Sequence, residues 1–316
     1  MPVIWGTVCA ILAAVGLTYV VRAFAIRVGM VCPPRPDRWH SKPTALLGGI
    51  AIYASFLLCY LALAPKQPAA YVVLACATLL FLTGLLDDLI EIKPYAKLIV
   101  QVAAASIVAY YGIQLHWTKY VAINEFLTIV WLVGITNAIN LLDNMDGLAG
   151  GITVISCAFL GLTFFINGQI GLAVMVGMLG GAAVGFLAFN FQPASIFMGD
   201  CGSMFLGFLL GATALLSEYG RSRNLGAVLF TPVLILAIPI FDTCVVTVTR
   251  KLSGRPISQG GRDHTSHRLV ALGLPERRAV LMLYLMAALS GALALLVRLL
   301  DTEVALLLVP GFALVV

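Results

Sequence analysis

The stretch NAINLLDNMDGLAGG, Asn137 to Gly151, decides how the rest of the chain reads. Apolar segments flank it, yet Asn137, Asn140, Asp143 and Asp146 recur at every third position. On an α-helix a step of three turns about 300°, so the row drifts by about 60° per step. Asn137 and Asp146 then fall on opposite faces and converge only where the helix tightens or ends. Gly147, Gly150 and Gly151 favour an ending. The stretch is the end of a hydrophobic span whose last turn opens into a polar loop. Its DNMDG segment is not an EF-hand, because it lacks the third ligand position before the glycine and the distal glutamate. Helix capping accounts for one aspartate but not for four amides and carboxylates.

The surroundings are those of a membrane protein. Of 316 residues, 61% are hydrophobic and only 10% charged, against about 25% charged in soluble domains. The first span, Val3 to about Tyr19, has neither a basic leader nor a small-residue cleavage site, which marks an uncleaved helix rather than a signal peptide. Apolar runs predict helices at 3–22, 45–64, 70–86, 97–113, 124–142, 148–166, 170–189, 203–217, 226–248 and 279–299. The stretch 304–316 is apolar but short, either a truncated span or an interfacial segment. The fold expected is all-α: a polytopic integral membrane bundle of about 10–11 transmembrane helices, forming one domain over 1–316. The seven cysteines include no C-x-x-C pair. They read as small buried hydrophobes rather than a disulfide framework or a zinc site.

Alternating the spans puts the loops at 23–44, 87–96, 143–147, 190–202 and 249–278 on one side. Of the 19 Lys and Arg, only Lys66, Lys119, Arg221, Arg223 and Arg298 lie on the other. The positive-inside rule makes the basic side cytoplasmic and leaves the N-terminus outside. Of the 14 acidic residues, only Glu125, Glu218, Asp301 and Glu303 lie away from that cytoplasmic side. The topology rule does not demand this acidic bias, and carboxylates at membrane helix ends are costly unless paired, hydrated or metal-bound. One active site at the cytoplasmic face is therefore expected.

Four more polar clusters fall on that face. GLLDDLIEIKP, Gly84 to Pro94, places Asp87 and Asp88 about 100° apart on a helix, so they need different partners. Together with Glu91 they also resemble a DDxxD metal motif. FNFQPASIFMGDCGS, Phe189 to Ser203, sets Asp200 between Gly199 and Gly202, where backbone approaches a ligand closely or the aspartate caps a helix. GRPISQGGRDHTSHRLVALGLPERR, Gly254 to Arg278, carries His264, His267 and Arg268, and suits phosphate better than zinc. RPDRWHSKPTALLGG, Arg35 to Gly49, adds Lys42. Carboxylates and amides bind a hard cation through oxygen, and Lys, Arg and His bind phosphates. Together they form equipment for phosphoryl transfer at a membrane boundary. A nucleic-acid partner is not indicated.

These motifs resemble the polyprenyl-phosphate N-acetylhexosamine-1-phosphate transferases, the superfamily of MraY, WecA and TagO, from about Arg35 to Arg278. DHTSHRLVALGL is more similar to the WecA/TagO branch, since the peptide-sugar branch tends to carry an uninterrupted HHH. The resemblance implies a multi-pass inner-membrane enzyme that moves a sugar 1-phosphate from a UDP-N-acetylhexosamine, GlcNAc first, to polyprenyl (undecaprenyl) phosphate, releasing UMP. It implies Mg²⁺, with Mn²⁺ as a substitute, held by Asp200 and Asn140. Asp87, Asp88 and His264 would be catalytic. Lys42, Asn137, Asp143, Asp146, Phe197, His267 and Arg268 would bind substrate, with Phe197 stacked on uracil. A homodimer is plausible by the same analogy. The alternatives are a MurNAc-pentapeptide phosphotransferase and an intramembrane prenyltransferase, for which NLLDNMDG is a poor second aspartate motif. A transporter or flippase fits less well, because polar groups cluster at one face and no internal repeat is present.

Overall fold

A computed structural model describes residues 1–33, 43–216, 225–256, 261, 263–300 and 304. The described residues are almost wholly helical: α1 (Pro2–Arg27), α2 (Gly48–Leu63), α3 (Pro68–Ile90), α4 (Pro94–Tyr110), α5 (Val121–Leu142), α6 (Leu148–Ile166), α7 (Ile170–Asn190), α8 (Gly199–Leu215), α9 (Leu225–Ile235), α10 (Ala237–Leu252), α11 (Thr265–Ala271) and α12 (Glu276–Val297). A two-residue hairpin, β1 (Val31–Cys32) with β2 (Thr44–Ala45), precedes α2. Among these helices, α1, α3, α5, α6, α7 and α12 are long and apolar enough to cross a membrane. The chain is thus an all-α polytopic membrane bundle. Helices α2, α4 and α8 are apolar but only 16, 17 and 17 residues long.

α8 is the centre of the bundle. Its side chains from Cys201 to Ala214 are buried, and α2, α3 and α5 pack around it. Without water to drive burial, such packing depends on close backbone approach and small residues. A Cβ on Gly49 of α2 would lie 2.2 Å from the Gly202 nitrogen, and one on Gly84 of α3 would lie 2.5 Å from the Asp200 carbonyl carbon. Trp131 of α5 donates its indole N–H to the Gly211 carbonyl at 3.1 Å. A second close pair joins α1 to α7. Gly177, Gly181 and Gly185 form a stripe at every fourth residue, against which Thr7, Ala10 and Ala14 lie.

The span expected at 226–248 is two helices. Pro239 has no N–H to donate to the Ile235 carbonyl, so the helix breaks at Leu236, whose φ/ψ is −105°/23°. Ser156 of α6 donates its hydroxyl to that carbonyl at 3.2 Å, and Ser290 of α12 donates to the neighbouring Leu234 carbonyl at 2.7 Å. Bundle neighbours thus satisfy the freed backbone, as they must inside a membrane. The eighth span starts at Gly199 rather than 203, which brings Asp200 into its first turn. Beyond Val304, the C-terminal apolar stretch lies outside the described residues, as does Lys42.

Gly181→Ala should destabilise the bundle by about 1–3 kcal/mol, because its Cβ would lie 2.5 Å from the Thr7 carbonyl oxygen. Gly16→Ala, on α1 with nothing within 4 Å, should be neutral or stabilising. Thermal unfolding in detergent compares the two.

Candidate active site

The polar groups gather where α3, α4, α5 and α8 end or begin together. Asp88, in the last turn of α3, engages α8 with both oxygens: its Oδ1 accepts the Asp200 N–H at 2.8 Å and its Oδ2 the Cys201 N–H at 3.0 Å. The first N–H groups of a helix have no partner within it, and a carboxylate there also meets the positive end of the dipole. Gly199 permits this contact. Its φ is 75°, and a Cβ on it would lie 2.6 Å from Asp88 Oδ2. The glycine beside Asp200 therefore makes room for Asp88, where the sequence suggested a ligand. Each Asp88 oxygen holds α8 by one bond and keeps a second acceptor site.

Asp87, one residue earlier, points elsewhere, as the 100° separation requires. Its Oδ1 accepts the Ile92 N–H at 2.7 Å, which turns the chain from α3 into α4. Its Oδ2 receives the Lys97 ammonium at 2.8 Å. The same ammonium reaches Asp200 Oδ2 at 2.7 Å. Asn140 completes the group: its amide donates to Asp200 Oδ1 at 3.0 Å and to Ser203 Oγ at 2.8 Å. Lys97 was not singled out in the sequence. Its signal is a lone lysine on an otherwise apolar helix, one turn after Pro94.

Asn137 stands one turn before Asn140 and is engaged within the bundle. Its amide donates to Gln101 Oε1 at 2.6 Å and to the Val133 carbonyl at 2.8 Å. α5 ends at Leu142, and Asp143 follows with φ/ψ of −76°/49°. In the turn to α6, Asp146 Oδ2 accepts the Ala194 N–H at 2.9 Å, and Asn190 Oδ1 accepts the Gly147 N–H at 3.1 Å. The turn is thereby fastened to the 191–198 loop. That loop is fastened in turn to the start of α2: Phe197 donates its N–H to the Ala45 carbonyl, and Gly48 and Gly49 donate theirs to Phe197 and Met198. Phe197 sits half-buried three residues before Asp200.

The histidines form a second group. His264 precedes α11, with Nδ1 2.7 Å from Asp242 Oδ2 on α10, and Asp242 Oδ1 accepts the Thr265 N–H at 2.6 Å. His267 packs edge-on against His264, ring centroids 5.6 Å apart. Ser266 donates to Asn144 Oδ1 at 2.7 Å and so ties α11 to the turn after α5. Arg268 donates to the Asp263 carbonyl and to Thr249 Oγ1, both at 2.9 Å, bonds that support the loop. Burial acts to raise the Asp263 pKa, but hydrogen bonds from Arg250 and Arg255 outweigh it and hold the carboxyl below its usual range.

Among the described residues, no three His, Cys, Asp or Glu side chains stand together as a ligand set. A cation would depend on one or two carboxylates, an amide oxygen, water and substrate phosphate, which suits Mg²⁺. The donors fit that description. Asp87 and Asp200 already turn one oxygen each toward a single cationic group, and the Asn140 amide offers oxygen in place of nitrogen by a flip.

Residues 70–218, from α3 to the end of α8, match the model of glycosyl transferase family 4. Over 92% of its length the chain is 32% identical to a probable undecaprenyl-phosphate N-acetylglucosaminyl 1-phosphate transferase of Bacillus subtilis, covering 84% of that protein. The chain belongs to this family, the superfamily of MraY, WecA and TagO. It is also similar to a decaprenyl-phosphate N-acetylglucosaminephosphotransferase of Mycolicibacterium smegmatis, 34% identical over 87% of this chain and 79% of that one. Against an undecaprenyl-phosphate alpha-N-acetylglucosaminyl 1-phosphate transferase of Escherichia coli K12 the identity is 28%, over 87% and 78%. The family match runs through Asp87, Lys97, Asn140 and Asp200, the residues that meet around one ammonium.

Asp88→Asn would set an amide N–H2 against a backbone N–H of α8. It should cost about 1–2 kcal/mol, the range for loss of a helix cap. The buried Cys201 thiol should become open to maleimide, read by mass spectrometry of its peptide.

Proposed function

We propose that this protein transfers GlcNAc-1-phosphate from UDP-GlcNAc to polyprenyl phosphate, giving polyprenyl-diphospho-GlcNAc and UMP. The observation that carries the reading is the Lys97 ammonium shared by Asp87 and Asp200, with Asn140 on the second Asp200 oxygen. Charges of both signs, set together before substrate arrives, suit a reaction whose charge shifts between phosphates. The relatives' names support GlcNAc as the sugar and a polyprenyl phosphate as the acceptor, undecaprenyl before decaprenyl. The departure from HHH at His264-Thr265-Ser266-His267 favours this donor over UDP-MurNAc-pentapeptide.

The attacking oxygen belongs to a lipid phosphate already largely ionised near neutral pH, so charge neutralisation matters more than a strong base. We favour direct attack over an aspartyl intermediate. Asp200 and Asn140 would hold Mg²⁺, which when bound supplies charge neutralisation for the diphosphate. Lys97 orients Asp87 and Asp200 and offers its remaining donor capacity to a phosphate oxygen. His264, His267 and Arg268 form the cationic side of the donor pocket, Asp143 and Asp146 its sugar side, and Phe197 a surface for uracil. Lys42 would meet the nucleotide. The whole chain acts as one transmembrane domain in the inner membrane, the site cytoplasmic and the N-terminus outside, as the basic loops favour. A homodimer is part of the same proposal.

The purified protein with undecaprenyl phosphate and Mg²⁺ should release UMP from UDP-GlcNAc, and not from UDP-GalNAc or UDP-MurNAc-pentapeptide. EDTA should stop release. Asp200→Ala and Asn140→Ala should each reduce it by at least about 10²-fold without unfolding the bundle. Unchanged turnover in Asp200→Ala would overturn the metal assignment, and UMP from the pentapeptide donor the sugar assignment.

A further inference from the structure

Asp242 is a buried carboxylate to which the reaction above gives no role. It stands on α10, 2% exposed, and engages α11 with both oxygens, Oδ1 on the Thr265 N–H and Oδ2 on His264 Nδ1. A helix cap needs only the first of these bonds. The second has a chemical consequence. A carboxylate only accepts hydrogen bonds, so Nδ1 carries a proton and Nε2 is the nitrogen left to act. His264 is itself 4% exposed, and no described residue bonds to its Nε2.

Charge balance points the same way. A carboxylate this buried is costly unless an opposite charge or a full set of hydrogen bonds meets it. Arg250, on the same helix, turns its Nε to Asp263, and Arg268 turns to the Asp263 carbonyl and Thr249. The other charged or titratable groups on the surrounding described elements are Cys244 and Lys251 on α10, His267 on α11, Glu276, Arg277, Arg278 and Tyr284 on α12, Glu125 on α5, and Asp143 and Asp146 in the turn after α5. Of all these, the His264 ring is the group hydrogen-bonded to Asp242 that can carry a positive charge.

We propose that Asp242 is a positioning residue: it holds the His264 ring by Nδ1–H and so turns Nε2 toward the diphosphate of the nucleotide-sugar donor. This rests on the phosphotransfer reading, but the Asp242–His264 pair can be tested apart from it. Asp242→Asn keeps an oxygen for the Thr265 N–H, so α11 stays capped. Its amide N–H2 then faces Nδ1, which drives the ring proton to Nε2 and removes the counter-charge.

In ¹⁵N-histidine spectra of the detergent-solubilised protein, with His264→Gln for assignment, the wild-type ring should carry a proton on Nδ1. In Asp242→Asn that nitrogen should be unprotonated. A wild-type ring with Nδ1 unprotonated overturns the proposal without any variant. In turnover, Asp242→Asn should lose about 10- to 100-fold. Its KM for the lipid should be unchanged. His264→Gln should be low, and the double variant no lower than His264→Gln. Losses that multiply, or an Nδ1 still protonated in Asp242→Asn, would make Asp242 a helix cap and nothing more. Absence of UMP from any donor in the wild type would defeat the phosphotransfer reading, and the spectra would still decide the pair.

Discussion

Everything at the polar end of this bundle depends on two backbone N–H groups and one carboxylate. The first turn of α8 opens inside the protein, where its unpaired N–H groups would be expensive. Asp88 meets the N–H groups of Asp200 and Cys201 with one oxygen each. That contact requires α3 and α8 to approach within backbone distance, hence Gly84 on one side and Gly199 on the other. The Asp200 side chain is then aimed by backbone geometry rather than by its own rotamer alone. Once it is fixed, Asn140 of α5 and Lys97 of α4 can reach it. Four helices thus share one point.

The adjacent aspartates show how one helix turn divides labour. They are neighbours in sequence but about 100° apart on the helix. Asp88 faces inward and holds a helix. Asp87 faces the α3–α4 turn and the shared ammonium. Asp88 accepts from two backbone groups, whereas Asp87 accepts from one backbone group and the ammonium. The histidine group is built separately, on α10 and α11, and joins the first through α5 and the turn after it. Asn140 leads to Asp200, and Asn144, four residues on, leads to Ser266. The quoted stretch is the seam between the two groups.

Much of this was legible from residue types and spacing. Membrane helices announce themselves by length and apolarity, and polar residues inside so apolar a chain are too costly to be incidental. That is why Asp87, Asn140, Asp200 and His264 stood out. Lys97 did not, because a single charge at a helix end looks like interfacial charge until its partner is known, and Asp242, inside the span expected at 226–248, did not because its partner His264 lies beyond that span. The partners lie 103 and 22 residues away. The glycine stripe of α7 was visible in the sequence, but its meaning needed Thr7, Ala10 and Ala14 opposite.

The sequence by itself determined the class of fold and the types of side chain available for chemistry, since these depend on local composition and periodicity. It also contained Pro239 and Gly199, whose backbone consequences are local. Only the tertiary structure decided which carboxylate holds the start of α8 and which lysine stands between two aspartates. Those outcomes depend on distances of about 3 Å between groups far apart in the chain. The packing of α8 against α2, α3 and α5 sets such distances.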